Sequence, residues 1–407
     1  MNTEEKTQEN GDEQADALKT YKRKDKKTDK KKDRHFRQRI ICAVILLVLS
    51  AFFMILSALI PDFAEWYSEH VYPVWVSTLG RFSGLFPFSL SEILIYFLLL
   101  VFVASLIRLI VSVIRICRKR GRSGERTGEE RESETPSPAA QAASWLSRVL
   151  LVVGILAFLY TVFCGINYHR RSFSEEEGIV TYQYSVEELK KICIWLTEEV
   201  NSRAGNVLRD ENGIMKLEAP EADGAVEAME TLAKEFSALQ GYYPRPKSLL
   251  ISEVLSYQNL SGIYLPFTVE ANYNGDMTAY NIPFTACHEL SHLRGFMQEE
   301  EANFIAFLAC LSSDRLDFQY SGYLSGWVYC MNALYRADYN AWQEVRVTLT
   351  EEAEPDLEAN NAFWDSYRGT ISETAERIND TYLKANGQAE GVQSYNRMVD
   401  LIVAYFS

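Results

Sequence analysis

Five histidines serve a chain of 407 residues, and two of them fall in the pentapeptide His288-Glu289-Leu290-Ser291-His292. Four residues apart on a helix, His288 and His292 stand about 40° apart around the axis with about 6 Å of rise, so both imidazoles can reach one metal ion. Glu289 lies beside His288, where its carboxylate can hold and deprotonate a metal-activated water instead of occupying the metal. The expected cofactor is Zn2+, and the expected chemistry is hydrolysis by an activated water.

Two imidazoles alone bind zinc poorly, and catalytic sites generally use three protein ligands. Gly295, three residues after His292, can end the motif helix in a left-handed turn, so a third ligand is expected soon after it. A metzincin pattern would place that ligand at position 298, but the residue there is Gln298, a poor zinc ligand. Glu299, Glu300 and Glu301 follow at once. The run Glu299-Glu300-Glu301-Ala302-Asn303 resembles the Glu-x-x-Ala-Asp/Asn element of gluzincins, as in membrane-embedded metalloproteases of the CAAX-prenyl type and regulatory proteases of the ImmA/IrrE type. That resemblance implies Glu299 as ligand and Asn303 as the residue that supports a histidine. Glu301 is the alternate ligand, although it points about 200° away from Glu299 around the helix, whereas Glu299 and Asn303 share a face. Tyr320 and Tyr323 are candidates to stabilise an oxyanion, since a tyrosine hydroxyl aimed at the developing charge is a common device.

Residues 167–407 must position this site, and their length suffices for one catalytic domain with a core of its own. Ser185 followed by Glu188 reads as a capping box that opens a helix bearing Leu189, Ile192, Cys193 and Leu196. Glu221 to Leu239 reads as another helix. Tyr243-Pro244-Arg245-Pro246 breaks the helical pattern, and Gly262 to Thr268 reads as a short strand ahead of a turn at Asn272 to Gly275. Such a strand would hold an extended substrate beside the metal. Ala302 to Leu311 and the tail from Ala375 to Phe406 read as helices, so the domain is expected to be mainly α, α+β, with a small sheet.

Three apolar runs precede it. Ile40 to Ile60 is a stretch of 21 residues without a charge, long enough to cross about 30 Å of hydrocarbon. A second run covers 93–114 and a third 149–166, which makes a three-helix transmembrane anchor. Residues 20–39 hold eleven Lys/Arg against three Asp and residues 115–148 hold eight more, whereas 61–92 holds only Arg81. By the positive-inside rule the N-terminus, 1–39, is cytoplasmic, and the domain after the third span is extracytoplasmic on a multi-pass cell-membrane protein. Residues 115–148 read as a disordered cytoplasmic loop, poor in large apolar residues. The aromatic segment 61–92 reads as an outer loop that anchors at the headgroups or docks on the large domain.

Charge excludes one class of partner. The segment after Ile166 carries 18 Lys/Arg against 37 Asp/Glu, and the basic N-terminal tail serves topology and anionic lipid rather than nucleic acid. Seven cysteines lack paired short spacing, and Cys193, Cys287, Cys310 and Cys330 read as small buried hydrophobes, with a pairing among these four left open. His169 is expected at the interface, and Glu270 as a carboxylate beside the turn.

Taken with Phe86-Pro87-Phe88-Ser89-Leu90, Asn167-Tyr168-His169-Arg170, Leu265 to Asn272, Tyr320-Ser321-Gly322-Tyr323 and Tyr382 to Gly387, the motif block looks like an uncharacterised bacterial family of zincin-like membrane proteins. That resemblance covers nearly the whole chain after residue 40 and implies fold, topology and zinc, with no substrate. The expected function is a membrane-anchored zinc metallopeptidase that acts on a peptide or surface protein, with the lipid bilayer as its other partner. A non-catalytic zinc-containing sensor or structural protein is the competing class, and a transporter is disfavoured because the spans carry few polar residues and the chain shows no internal repeat.

Overall fold

The computed structural model describes residues 33–123, 137–218 and 220–407. Most of the expected basic tail and the centre of the expected cytoplasmic loop lie outside these residues. Three helices are long and apolar enough to cross a membrane: α1 (Asp33–Leu59), α2 (Leu90–Ser123) and α3 (Pro138–Phe163). The last two run further into the 115–148 segment than the apolar pattern suggests. Pro138 sits at the first turn of α3, where its missing N–H costs nothing, and the Ala-rich stretch behind it is a strong helix former.

The chain forms two compact units. The first comprises the described residues up to Phe52 together with those of Leu98–Phe158. Within it, Gly154 of α3 faces the backbone of Ala43 so closely that a Cβ would lie 3.1 Å from the Ala43 carbonyl oxygen, the close approach that small residues allow between apolar helices.

The second unit, Phe53–Phe97 with Leu159–Ser407, carries the motif. The segment after α1 is helical, with a few short turns, and docks on the rest of the unit. Tyr67 donates to the Val162 carbonyl at 2.7 Å, Ser68 to Asn167 at 2.9 Å, and the Tyr72 and Tyr264 hydroxyls lie 2.8 Å apart. Of the two readings of this aromatic segment, docking describes Tyr67 and Tyr72, while Trp66, Trp75 and Phe82 remain exposed.

The core is helical: α4 (Val186–Ala204), α5 (Glu221–Leu232), α6 (Asn281–Leu293), α7 (Glu299–Ser312), α8 (Leu316–Ala337), α9 (Thr370–Ala385) and α10 (Met398–Phe406). The Ser185/Glu188 capping box opens α4. One small sheet accompanies them, with strand order β1-β3-β2 from β1 (Lys247–Ser248), β2 (Gly262–Leu265) and β3 (Glu270–Tyr273). β2 is an edge strand, antiparallel to β3 with Gly262 opposite Tyr273 and Leu265 opposite Glu270.

The expected turn at Asn272–Gly275 is displaced at both ends. Residues 266–269 reverse the chain between β2 and β3, Asn272 is a central-strand residue, and the next turn is closed by Asp276 N–H on the Asn274 side chain at 3.0 Å. Glu270 is therefore not a turn-side carboxylate. It is buried, pairs with Lys247 Nζ at 2.5 Å, and accepts the Leu90 and Ser91 N–H groups at 3.1 and 2.8 Å, which caps α2. The seven cysteines are free thiols, and those of α4, α6, α7 and α8 are buried, so no disulfide joins them.

Candidate metal centre

The helix α6 forms where Ala286, Cys287, Leu290 and Leu293 present apolar surface to α5, α7 and β3, and all residues from Ile282 to Leu293 are buried. It ends as Gly295 demands: Gly295 takes φ +95°, its N–H bonds the His292 carbonyl at 2.9 Å, and the Phe296 N–H bonds the Ser291 carbonyl at 3.2 Å. These two bonds are a Schellman closure, and they turn the chain so that α7 starts beside the histidines.

Glu299, the first residue of α7, projects between them. Its Oε2 lies 3.2 Å from Nε2 of His288 and 3.4 Å from Nε2 of His292, and the two rings are nearly perpendicular with centroids 4.6 Å apart. Donors held about 2.0–2.1 Å from one tetrahedral ion are spaced about 3.3 Å apart, which is the spacing found for both Glu299 pairs. This is the only His/Cys/Asp/Glu cluster among the described residues with metal-holding geometry, and its three members are buried.

The hydrogen-bonding state agrees with a ligand role. Nδ1 of His292 lies 2.8 Å from the Phe296 carbonyl, which fixes that nitrogen as donor and leaves Nε2 free to ligate. Oε2 of Glu299 is buried with only the two imidazole Nε2 atoms before it, and the buried Oε2 of Glu289 has no hydrogen-bond partner. An unpaired buried carboxylate oxygen is costly away from water, and its place beside the histidines and Glu299 fits a site that accepts a cation.

Electrostatics separates the roles of the two carboxylates. Burial pushes Glu289 up to about 8, with the nearby Glu299 charge adding to it. Burial also acts on Glu299, but the two histidines outweigh it and hold its carboxyl down at about 2. His292 is raised to about 9 because Glu299 and Glu289 overcome its burial, whereas burial and the adjacent His292 lower His288. At neutral pH in the metal-free chain Glu289 therefore holds its proton, whereas Glu299 is ionised.

Glu289 also meets the sheet. The space that a Cβ would occupy on Gly262 is filled by the Glu289 carboxylate and by Thr285 Cγ2, so the edge strand β2 passes directly over the motif helix. Only glycine permits this approach.

Other predicted positions separate clearly. Glu301 is not near the histidines: its carboxylate accepts the Ser174 N–H at 3.0 Å and the Ser174 hydroxyl at 2.5 Å, at the start of the short helix Phe173–Glu176. Asn303 lies on the Glu299 face of α7, and its amide donates to the Tyr329 hydroxyl at 3.4 Å and the Tyr395 carbonyl at 3.5 Å. Tyr320 points away from the site, donating to Asp356 at 2.6 Å in a buried cluster with Arg209. Tyr323 packs edge-on against Trp195 and under the Arg203 guanidinium. Both tyrosines are thus engaged with partners other than His288, His292 and Glu299.

The tyrosines that feel the Glu299 charge are Tyr168, Tyr329 and Tyr395, all raised first by burial, with that charge adding to it. Tyr329 follows Tyr320 by nine residues on α8, half a rotation round the helix, so the face of α8 decides between them. Arg170, which the sequence offers only as part of a motif run, has a structural role here. Its buried guanidinium lies 2.6 Å from Glu176 and 3.5 Å from Glu65, stacks 4.0 Å over the Phe296 ring, and donates to the Arg294 carbonyl at 3.3 Å. It braces the turn that joins the two ligand helices. Its neighbour His169 is half-buried, with no ligand role.

The chain belongs to the family DUF3810, described as a protein of unknown function, which matches residues 67–403. Nothing among curated proteins or solved structures matches it.

Proposed function

We propose that this member of the family is a membrane-anchored zinc metallopeptidase whose active site lies outside the cytoplasmic membrane. The observation that carries the proposal is the convergence of His288, His292 and Glu299 at tetrahedral donor spacing, with the unpartnered Glu289 carboxyl beside them and an edge strand above. Two imidazoles and one carboxylate are a catalytic zinc set, and a bound ion would supply Lewis acidity and a more acidic water.

The protein's own groups do the rest. Burial holds the Glu289 proton in the metal-free chain, but a cation at the three ligands would bring that carboxyl down, and Glu289 would then accept the proton of the attacking water and return it to the leaving nitrogen. The free edge of β2 binds the peptide by backbone hydrogen bonds, and Gly262 lets the scissile bond come close to Glu289. Tyr395 and Tyr329 border the same space. Topology follows from charge, since Lys and Arg concentrate before α1 and between α2 and α3.

The test uses the full chain purified in nanodiscs, its zinc content, and a quenched peptide library digested with and without chelator. The wild type should hold one zinc per chain and cleave. Glu289→Gln should keep the zinc and lose cleavage, since it removes the proton acceptor alone. Cleavage by Glu289→Gln at the wild-type rate, or none by the zinc-loaded wild type, would refute the proposal. A non-catalytic zinc protein would show no peptide cleavage in either form. A reporter fused after Ser407 should be active outside the cytoplasm, and a cytoplasmic signal would reverse the topology.

A further inference from the structure

The metal centre is tied at two points to the end of the third apolar helix. The Tyr264 hydroxyl on β2 donates to the carbonyl of Phe163, the last residue of α3, at 3.2 Å. Gly262, on the same face of β2 and about 7 Å along it, lies against Glu289. From the opposite side, Cys164 Sγ lies 3.7 Å from Met297 Sδ, and Met297 precedes Glu299 by two residues, about 8 Å of chain at most. The ligand cluster therefore sits on the order of 15 Å from the point where α3 ends. The headgroup layer beyond the hydrocarbon is about 5–8 Å deep on each side. A site at that distance from the end of an apolar spanning helix lies within about 10 Å of that layer.

The surface around the site has matching chemistry. In α9 the residues Ile371, Ala375, Ile378 and Tyr382 recur at helical spacing as one apolar stripe, yet Ile371 and Ile378 are 62% and 66% exposed. Both ends of this stripe are tied near the ends of spanning helices. At one end, Tyr382 accepts from the Tyr160 hydroxyl of α3 at 3.2 Å. At the other, Tyr367, just ahead of α9, packs edge-on against Tyr257 at 5.0 Å, and Tyr257 belongs to the 250–257 segment. That segment hangs from the first turn of α2, where the Glu92 carboxylate accepts the Leu250 and Ile251 N–H groups at 2.8 and 3.0 Å. It also leaves Leu250 63% exposed, with Ile251 and Val254 beside it. An exposed apolar stripe on a helix tied at both ends near residues where α2 begins and α3 ends has the character of an interfacial helix.

We infer that the metal centre works at the bilayer surface, with α9 and the 250–257 segment seated in the headgroup layer, and that its substrate is a membrane-anchored polypeptide cut within a few residues of its anchor. The substrate class rests on the peptidase reading. About 15 Å of height is spanned by four or five extended residues, which sets the reach of a bond presented to Glu289.

The experiment compares three peptides that share one cleavable sequence, with the full chain in phosphatidylcholine vesicles. One peptide is free, one carries an apolar span with the bond about five residues from it, and one has the bond about thirty residues away. The near-anchored peptide should be cut on the order of tenfold faster or more than the other two, because anchoring raises its effective concentration only where the site can reach it. Equal rates for the near and far bonds, or for the free peptide, overturn the inference while leaving the peptidase reading intact. If no peptide is cut by the zinc-loaded chain, the peptidase reading falls and the substrate class with it. The seating of α9 is read without turnover. Ile378→Cys, carrying a polarity-sensitive fluorophore in a chain with Cys42→Ser and Cys117→Ser, should be quenched by lipids spin-labelled near the headgroup. An unquenched, water-like signal refutes the membrane placement.

Discussion

Replacing Glu299 by Gln keeps the shape of the side chain and removes the anion that faces both histidine Nε2 atoms at 3.2 and 3.4 Å. Its effect on metal binding should depend on pH in a way that follows from the pair. In the metal-free chain Glu299 raises His292 to about 9 and is itself held at about 2, so at neutral pH His292 keeps a proton that the metal must displace. Wild-type affinity should then rise about tenfold per pH unit up to about pH 9, or about a hundredfold between pH 7 and 9. Without Glu299, burial leaves His292 neutral, so Glu299→Gln should bind metal more weakly and with a much flatter pH dependence. The deficit of the variant should grow from about tenfold at pH 7 toward a thousandfold at pH 9. Metal-free stability should move the opposite way. The raised His292 contributes stability in full below about pH 6.5 and loses it as pH rises through 9, and the depressed Glu299 contributes above about 4.5 and loses it as pH falls through 2. Zinc titration against a competing chelator from pH 6.5 to 9, with thermal melts of the metal-free chain, measures both. A deficit independent of pH, or a greater zinc loss in Glu301→Gln than in Glu299→Gln, would refute the ligand assignment.

Gly262→Ala would drive a methyl into the Glu289 carboxylate; zinc content should stay near one per chain while cleavage falls by about a hundredfold, and unchanged cleavage would show that β2 does not border the reacting groups. Tyr320→Phe should cost about 1–3 kcal/mol of stability by leaving the buried Asp356 short of a donor, with the cleavage rate per folded molecule unchanged, as melts and active-site titration would show. Arg170→Ala strips the cation from Glu176, one of two cations from buried Glu65, which keeps Arg171, and the stack from Phe296, and should destabilise the chain by about 3 kcal/mol, visible as a lower melting temperature and weaker zinc retention; a melt within a degree of the wild type would contradict the bracing role.

Much of the site was legible along the chain because helical geometry is local. The four-residue spacing sets His288 and His292 on one face whatever surrounds them, Gly295 can adopt the left-handed turn at little cost, and the shared face of Glu299 and Asn303 follows from 3.6 residues per turn. The long apolar runs likewise announce three helices of spanning length, because backbone groups in hydrocarbon must bond within their own segment. What lay beyond local geometry was which face each element turns inward. Tyr320 and Tyr329 sit on opposite sides of one helix, and only the packing of α8 on α7 brings Tyr329 to Asn303. Glu301 took a task set 127 residues away, at Ser174, and Glu270 became a buried partner of Lys247. The hairpin before the motif was hidden because Val269, a β-branched residue, occupies φ +55°, where turn chemistry ordinarily calls for glycine or asparagine. Local spacing determined which residues could meet a metal, whereas long-range packing decided which of them are brought together, because burial of a charge is tolerated only where a distant partner is brought to meet it.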